Sequence, residues 1–283
     1  MNTPEILRAA PPRSWLFVPA LRAPEWLPKA KATGTDAIIV DLEDATAPDE
    51  KERAREVVRG LSLGGDRPWT FVRVNAAPDA HLAADLAAAV AAGASGIVLP
   101  KVSTPEDLAR VTGDPAILVM IETARGVLRA LEIADSDPRI VGLAFGGEDL
   151  SADLGVARTR AAGEFETARS LVALAAAASG VSAVDTPWFD LGDAEGAGRE
   201  ARASRQLGYS GKLVIHPSHV PPVNAAFTPD EQESERARRI IDAFDAAVSA
   251  GSGIATLDGR MIDLPVVVAA RRVLAQAERG RRT

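Results

Sequence analysis

Short apolar runs, rich in β-branched residues, recur along the chain: Trp15-Leu16-Phe17-Val18, Ala37-Ile38-Ile39-Val40, Thr70-Phe71-Val72-Arg73-Val74, Gly96-Ile97-Val98-Leu99, Ile117-Leu118-Val119-Met120-Ile121, Ile140-Val141-Gly142-Leu143-Ala144-Phe145, Val181-Ser182-Ala183-Val184 and Leu213-Val214-Ile215. Each has the length of a strand, and none alternates polar with apolar, so each is expected to be buried on both faces, as in a parallel sheet. Between them lie Ala-rich, charged stretches at helical spacing: Asp49 to Leu61, Asp79 to Ala92, Pro105 to Val111, Arg125 to Ala134 and Glu164 to Ser179. Alternating strand and helix predicts an α/β fold with a parallel sheet. The number of strands, eight, favours closure into a (β/α)8 TIM barrel over an open doubly wound sheet. The open sheet also lacks its Gly-rich fingerprint, because the chain reads Val18-Pro19-Ala20-Leu21-Arg22 after the first run.

Beyond the eighth strand the pattern changes. Pro229 to Ala250 reads as a long helix, followed by a Gly-Ser-Gly break at residues 251–253, a polar turn at Asp258-Gly259-Arg260 and a last helix from about Pro265 to Glu278. The expected organisation is a barrel over residues 1–250 and a C-terminal helical lid extension over 251–283, which either covers a barrel end or supplies a residue to an active site.

Composition narrows the chemistry. Among 283 residues the formal net charge is −7, so there is no basic footprint for nucleic acid or an anionic membrane, and an anionic ligand must be held by local arginines or lysines. The chain has 0 cysteines, which excludes disulfides, thiolate nucleophiles and Cys-ligated zinc. Residues 1–13 lack a signal-peptide apolar run, and no stretch of about 18 apolar residues exists, so a cytoplasmic address and no membrane are expected.

Active sites of such barrels lie at the C-terminal ends of the strands, and the residues there are polar almost throughout. The runs end in Asp41-Leu42-Glu43-Asp44, Arg73 and Asn75, Pro100-Lys101, Glu122-Thr123, Gly146-Gly147-Glu148-Asp149, Asp185-Thr186 and His216-Pro217. Two carboxylates from adjacent strands, Glu122 and Asp149, with water and substrate oxygens, suit Mg2+, or Mn2+, better than zinc. Gly146 and Gly147 either let the backbone approach a ligand or make a tight turn. Arg73 ends an apolar strand, where an unpaired guanidinium is costly to bury. Its partner is one of Asp41, Glu43 and Asp44, or else a substrate carboxylate or enolate oxygen. His216 is a catalytic or a structural imidazole, and His81 and His219 read as surface residues.

With these residues placed, the chain resembles the citrate lyase beta-subunit and malyl-CoA lyase family. The resemblance rests on the order of Arg13 to Ala20, Asp41-Leu42-Glu43-Asp44-Ala45, Val72-Arg73-Val74-Asn75, Leu99-Pro100-Lys101, Ile121-Glu122-Thr123, Phe145 to Leu150 and Ile215-His216-Pro217-Ser218. It implies a homotrimer or hexamer, Mg2+ on Glu122 and Asp149, a coenzyme A thioester as substrate, and Arg73 against a substrate oxygen. It also implies that Asp41, Glu43 and Asp44 line the metal site, with Glu43 and Asp44 in the catalytic set, and that Gly147, Glu148 and Asp41 contact substrate. Thioester contacts fall on the loop with Pro19, Arg22 and Lys29, although Ala20 and Leu21 depart from the family pattern and Arg22 has Glu25 as another partner. In the tail, Asp258-Gly259-Arg260-Met261-Ile262-Asp263 is similar to the family's lid motif, which makes Asp263 a proton donor or acceptor in a neighbouring subunit's site; a helix N-cap explains the same residue. The implied reaction is cleavage of a 3-hydroxyacyl-CoA into acetyl-CoA and a 2-oxo acid, or its reverse. The alternatives are a thioester-free class II 2-keto-3-deoxy-dicarboxylate aldolase and a beta subunit of a citrate lyase complex that needs an acyl-carrier protein.

Overall fold

The computed structural model describes residues 3–65 and 67–280. The eight apolar runs form strands β1 (Ser14–Pro19), β2 (Ala37–Asp41), β3 (Trp69–Arg73), β4 (Gly96–Leu99), β5 (Ala116–Ile121), β6 (Ile140–Phe145), β7 (Ser182–Asp185) and β8 (Gly211–Val214). They pair in parallel, each with its sequence neighbour, and β8 returns to β1 to close the barrel. The fold is therefore the expected (β/α)8 barrel, ringed by helices. Its interior is one apolar cluster to which every strand contributes, from Trp15, Ile39, Phe71 and Val98 through Leu118, Val141, Val184 and Leu213. Trp15 and Phe71 meet edge to face with centroids 5.0 Å apart. The helix Thr3–Ala9 adds Leu7 to this cluster and is tied by Arg8 to the carbonyls of Pro138 and Ile140, at the start of β6.

The helices depart further from the pattern than the strands do. The stretch from Arg125 to Ala134 is broken at Arg129 into Ala124–Leu128 and Ala130–Asp135, and the segment from Pro105 shrinks to one turn, Pro105–Leu108. Helices at Ala23–Ala32 and Ala194–Gln206 were not expected; Pro24 and Pro28 in one, and Gly196 and Gly198 in the other, obscure them. The second holds because its glycines are in close contact: a Cβ on Gly196 would lie 2.8 Å from the Trp188 ring, and one on Gly198 would lie 3.1 Å from Pro222.

By its own contacts the chain divides into two compact units, one ending at Asn224 and one beginning at Ala225. The helix Glu231–Ser249, which the pattern put with the barrel, belongs to the second unit. Its Ile240, Ile241 and Phe244 share a small core with Ile262 and Val267. A reciprocal cap starts this helix: Asp230 accepts from the Glu233 amide at 2.7 Å, and Glu233 from the Asp230 amide at 3.0 Å. The polar turn is the tip of an antiparallel hairpin, β9 (Ala255–Leu257) and β10 (Arg260–Ile262), with Asp258 and Gly259 both at positive φ, 50° and 74°. The helix Leu264–Gly280 follows. No helix among the described residues is long and apolar enough to cross a membrane.

Candidate functional site

At the C-terminal end of the barrel a cleft of about 430 Å³ opens over the strand ends. Its floor is apolar, made of Phe17, Met120, Leu213 and Ile215, and its wall carries Asp41, Asp44, Arg73, Glu122, Glu148 and Asp149. Most of the predicted strand-end charges thus converge, while Asp185 instead bonds Arg169 and Lys212 away from the cleft.

Glu122 directly follows β5 and is 1% exposed. Its Oε1 accepts the Lys101 amide at 2.7 Å, while Oε2 is buried and accepts no hydrogen bond. Burial, reinforced by the charges of Asp149 and Glu43, pushes its carboxyl up to about 8. Gly146 explains how so crowded a carboxylate fits. A Cβ there would come within 2.2 Å of Oε2, so what approaches the glycine backbone is the Glu122 side chain itself. Gly147 opens the helix Gly147–Leu154, and its amide donates to Thr186 Oγ1 at 3.1 Å. Asp149, in the first turn of that helix, is half-buried on the same wall.

Arg73 is partnered by all three of the predicted carboxylates. Nε and Nη2 donate to the two oxygens of Asp41 at 2.7 and 2.6 Å, and Nη1 lies 2.9 Å from Glu43 and 3.6 Å from Asp44. The guanidinium carbon stands 4.9 Å from the centre of the Phe17 ring; burial loosens its proton, but Asp41, Glu43 and Asp44 outweigh burial and hold it more firmly than usual. Asp41 is saturated by this fork together with the amides of Glu43 and Ala45, at 2.9 and 3.2 Å. It orients Arg73 and shapes its own loop, leaving no free lone pair to aim at a ligand. Burial raises the Glu43 carboxyl; for Asp44, burial is outweighed by Arg73 and Lys101, which hold it low. Glu148, exposed at the rim, pairs with Arg158 at 2.9 Å, and Arg158 in turn stacks 4.4 Å from Phe189.

The residues expected to meet a thioester are more scattered. Pro19 lines the cleft. Arg22 stacks on Trp26, with its guanidinium 5.3 Å from the ring, and Lys29 pairs with Glu25 at 2.8 Å on an exposed helix face. Asp263 belongs to the second unit, where its carboxylate accepts the Val266 amide at 3.3 Å as the cap of the last helix. His216 bonds Ser218 at 2.7 Å; His81 contacts Arg55 at 3.2 Å. His219 corrects the surface reading: it is buried beside His216, and burial lowers its basicity.

Several supporting residues carry no sequence signal. Lys51, seven residues after Asp44, donates to the carbonyls of Leu42 and Glu43, both at 2.7 Å, and to Asn75 at 2.8 Å, pinning the acidic loop from behind. Asn75 is held in turn by Asp85 at 2.6 Å, and Asp85 by Arg55 at 3.1 Å. Lys101 was visible at a strand end but not as part of the carboxylate group it joins.

A family model described as HpcH/HpaI aldolase/citrate lyase matches residues 13–217. A (3S)-malyl-CoA thioesterase of Cereibacter sphaeroides is 38% identical over 276 residues, 96% of this chain and 96% of that protein. The citrate lyase subunit beta of Escherichia coli is 35% identical over 282 residues, 94% of this chain and 93% of its own. Among solved structures, Mycobacterium tuberculosis CitE in complex with magnesium, acetoacetate and coenzyme A is similar with a TM-score of 0.83 and 36% identity, covering 95% of this chain and 99% of that one.

Proposed function

This chain belongs to the HpcH/HpaI aldolase/citrate lyase family, and on that premise we propose that it is a Mg2+-dependent carbon–carbon lyase cleaving a 3-hydroxyacyl-CoA into acetyl-CoA and a 2-oxo acid, or running the reverse condensation. The observation that carries this reading is the buried, unpartnered Oε2 of Glu122 beside Asp149. A carboxylate so placed calls for a cation, and an all-oxygen donor pair suits Mg2+ or Mn2+. Glu122 and Asp149 would hold it, and a magnesium-bound relative at 36% identity supports the choice. When bound, the cation supplies Lewis-acid polarisation of the 2-oxo acid.

The protein side of the reaction follows from the geometry. Arg73, locked by Asp41 with its face over Phe17, presents a fixed positive charge to the cleft and stabilises negative charge that develops on a substrate oxygen. The floor of Phe17, Met120, Leu213 and Ile215 keeps water from a thioester enolate, which would otherwise be protonated at random. Asp44, held ionised, and Glu43, raised by burial, are the groups able to take the hydroxyl proton from the substrate in cleavage. Asp263 is assigned to return a proton to the enolate carbon in a neighbouring subunit's site, with Gly147 and Glu148 at the 2-oxo acid and Pro19, Arg22 and Lys29 toward the thioester arm. Assembly as a homotrimer or hexamer belongs to the same reading.

Hydrolysis of the thioester is a second reading, favoured by the name of the Cereibacter sphaeroides relative. The test is a panel of malyl-CoA, citramalyl-CoA, 3-hydroxy-3-methylglutaryl-CoA and citryl-CoA with Mg2+, with products resolved chromatographically before and after EDTA. Acetyl-CoA plus a 2-oxo acid, abolished by EDTA, is the expected result; acetyl-CoA plus acetoacetate, a 3-oxo acid, from the 3-hydroxy-3-methylglutaryl thioester alone would keep the lyase and overturn the 2-oxo acid. Free coenzyme A plus a 3-hydroxy acid would make the chain a thioesterase. Turnover of no thioester, with Mg2+-dependent exchange of the pyruvate α-protons, would move the assignment to the aldolase; activity only with an acyl-carrier protein would move it to the citrate lyase complex.

A further inference from the structure

Lys101 follows β4 by two residues and takes the left-handed conformation, φ 55°, which side chains other than glycine rarely adopt. Contacts on both its backbone and its side chain hold it there. Its amide donates to Glu122 at 2.7 Å, fixing the oxygen opposite the unpartnered one. Its ammonium hydrogen-bonds Glu43 and lies 3.4 Å from Asp44 and 3.6 Å from Asp149. One residue therefore grips the inner carboxylate by the backbone and three others by charge, and those anions raise the proton affinity of its amine above the usual lysine range.

Arg73 and Lys101 are not equivalent cations. The Arg73 fork is locked on Asp41 by two short hydrogen bonds. The Lys101 ammonium is a point charge on a flexible stem, 35% exposed, and its 3.6 Å approach to Asp149 is an ion pair rather than a hydrogen bond. Such a contact is easily surrendered.

We propose that Lys101 is a built-in counter-ion of the metal site, competing with the divalent cation for Asp149 and swinging toward Glu43 and Asp44 when the cation binds. It rests on the metal reading of Glu122 and Asp149. The lysine then steadies the carboxylates in the metal-free protein and weakens metal affinity, keeping the cation exchangeable. A unit positive charge a few ångströms from a dication, partly screened by solvent, corresponds to roughly tenfold in affinity.

The experiment uses the full chain stripped with EDTA, the Lys101→Met and Lys101→Gln variants, and Mn2+ as the probe, followed by its electron paramagnetic resonance signal and by calorimetry. Both variants should bind Mn2+ about tenfold more tightly than the wild type, melt at lower temperature without metal, and regain most of that loss with saturating Mn2+. An independent reading needs no variant: acetylation of Lys101 in the wild type, mapped by mass spectrometry, should increase when Mn2+ is added. Affinity unchanged or weakened, with the melting temperature lowered equally with and without Mn2+, would reduce Lys101 to a structural residue and overturn the proposal, as would unchanged acetylation. If the wild type takes up no Mn2+, the metal reading itself fails; uptake by the wild type with variants that match it overturns the counter-ion alone.

Discussion

Two charged clusters are built on the barrel strands, and they are built to opposite ends. Against β7 and β8, Asp185 accepts from Arg169 at 2.7 Å, Lys212 at 2.8 Å and Ser204 at 2.6 Å, and Lys212 also pairs with Glu200 at 2.7 Å. Two carboxylates face two cations in a closed network with almost no exposure. Across β2 to β6, five carboxylates, Asp41, Glu43, Asp44, Glu122 and Asp149, face two cations, Arg73 and Lys101; Glu43 Oε2 at least lies 2.9 Å from Arg73, whereas the buried Glu122 Oε2 has neither a hydrogen bond nor an ion pair. In the first cluster each carboxylate has a cation within 2.8 Å and the charges balance. The second has an excess of negative charge that a divalent cation would largely neutralise. Charge balance, more than the presence of acidic side chains, separates scaffold from site.

The contrast breaks most easily at Glu122. Glu122→Gln keeps shape and removes the proposed metal ligand, so turnover should fall roughly a thousandfold, the equivalent of about 4 kcal/mol of lost transition-state stabilisation. The melting temperature without metal should stay level or rise, because glutamine carries no ionisable group for burial to penalise. Steady-state kinetics against Mg2+ concentration reads the first outcome and calorimetry the second; unchanged turnover at saturating Mg2+ would remove Glu122 from the metal site.

In the closed network the effects reverse. Lys212→Met removes the cation beside Glu200 and leaves Asp185 to Arg169 and Ser204 alone, and should destabilise the fold by about 3 kcal/mol in urea unfolding, with Mn2+ affinity untouched. A shift in Mn2+ affinity comparable to the stability loss would show that the two clusters are coupled after all.

Acid tests the same network more gently. Burial alone would raise Asp185, but Lys212 and Arg169 outweigh it and hold its carboxyl at about 2. A folded value below the unfolded one contributes stability that is present above the ordinary aspartate range, near 3.9, and is lost as pH falls toward 2. The contribution is roughly 2 kcal/mol. Urea unfolding from pH 5 to pH 2 should show this loss in the wild type and a flatter profile in Asp185→Asn; parallel profiles would mean the carboxylate is not specifically stabilised.

Asp185 also marks how far the sequence can be read. The eight strands are legible because strands buried on both faces are apolar throughout, and the Glu122–Asp149 pair is legible because strand ends carry the chemistry of a barrel. Asp185 has the same signature, a carboxylate at the end of an apolar run, yet it turns outward to helix Glu166–Ala178 and pairs in register with Lys212, while its neighbour Thr186 lines the cleft. A one-residue step in strand parity decides between scaffold and site, and the boundary of a short apolar run does not resolve one residue. The hairpin at residues 255–262 was hidden for a related reason: strands of three residues with Thr256, Arg260 and Met261 exposed have no apolar period to detect.

The finest distinction lies within β6 and the residue after it, where two glycines serve the two kinds of structure. Gly142 leaves room for Ser182, whose Oγ would be 2.3 Å from an added Cβ, and Gly146 leaves room for Glu122, whose Oε2 would be 2.2 Å and Cβ 2.6 Å from one. Gly146 has an ordinary backbone, φ −105°, so alanine there strains only its neighbour. That neighbour has little freedom: the Lys101 amide holds Oε1, and the side chain is buried. Gly146→Ala should therefore displace the carboxylate and weaken Mn2+ binding about tenfold, with a stability loss of about 1 kcal/mol. Gly142→Ala should lose similar stability and bind Mn2+ as the wild type does. If both variants lose stability alike and both keep full affinity, the close approach at Gly146 is only packing, and the position of Glu122 must be set by Lys101.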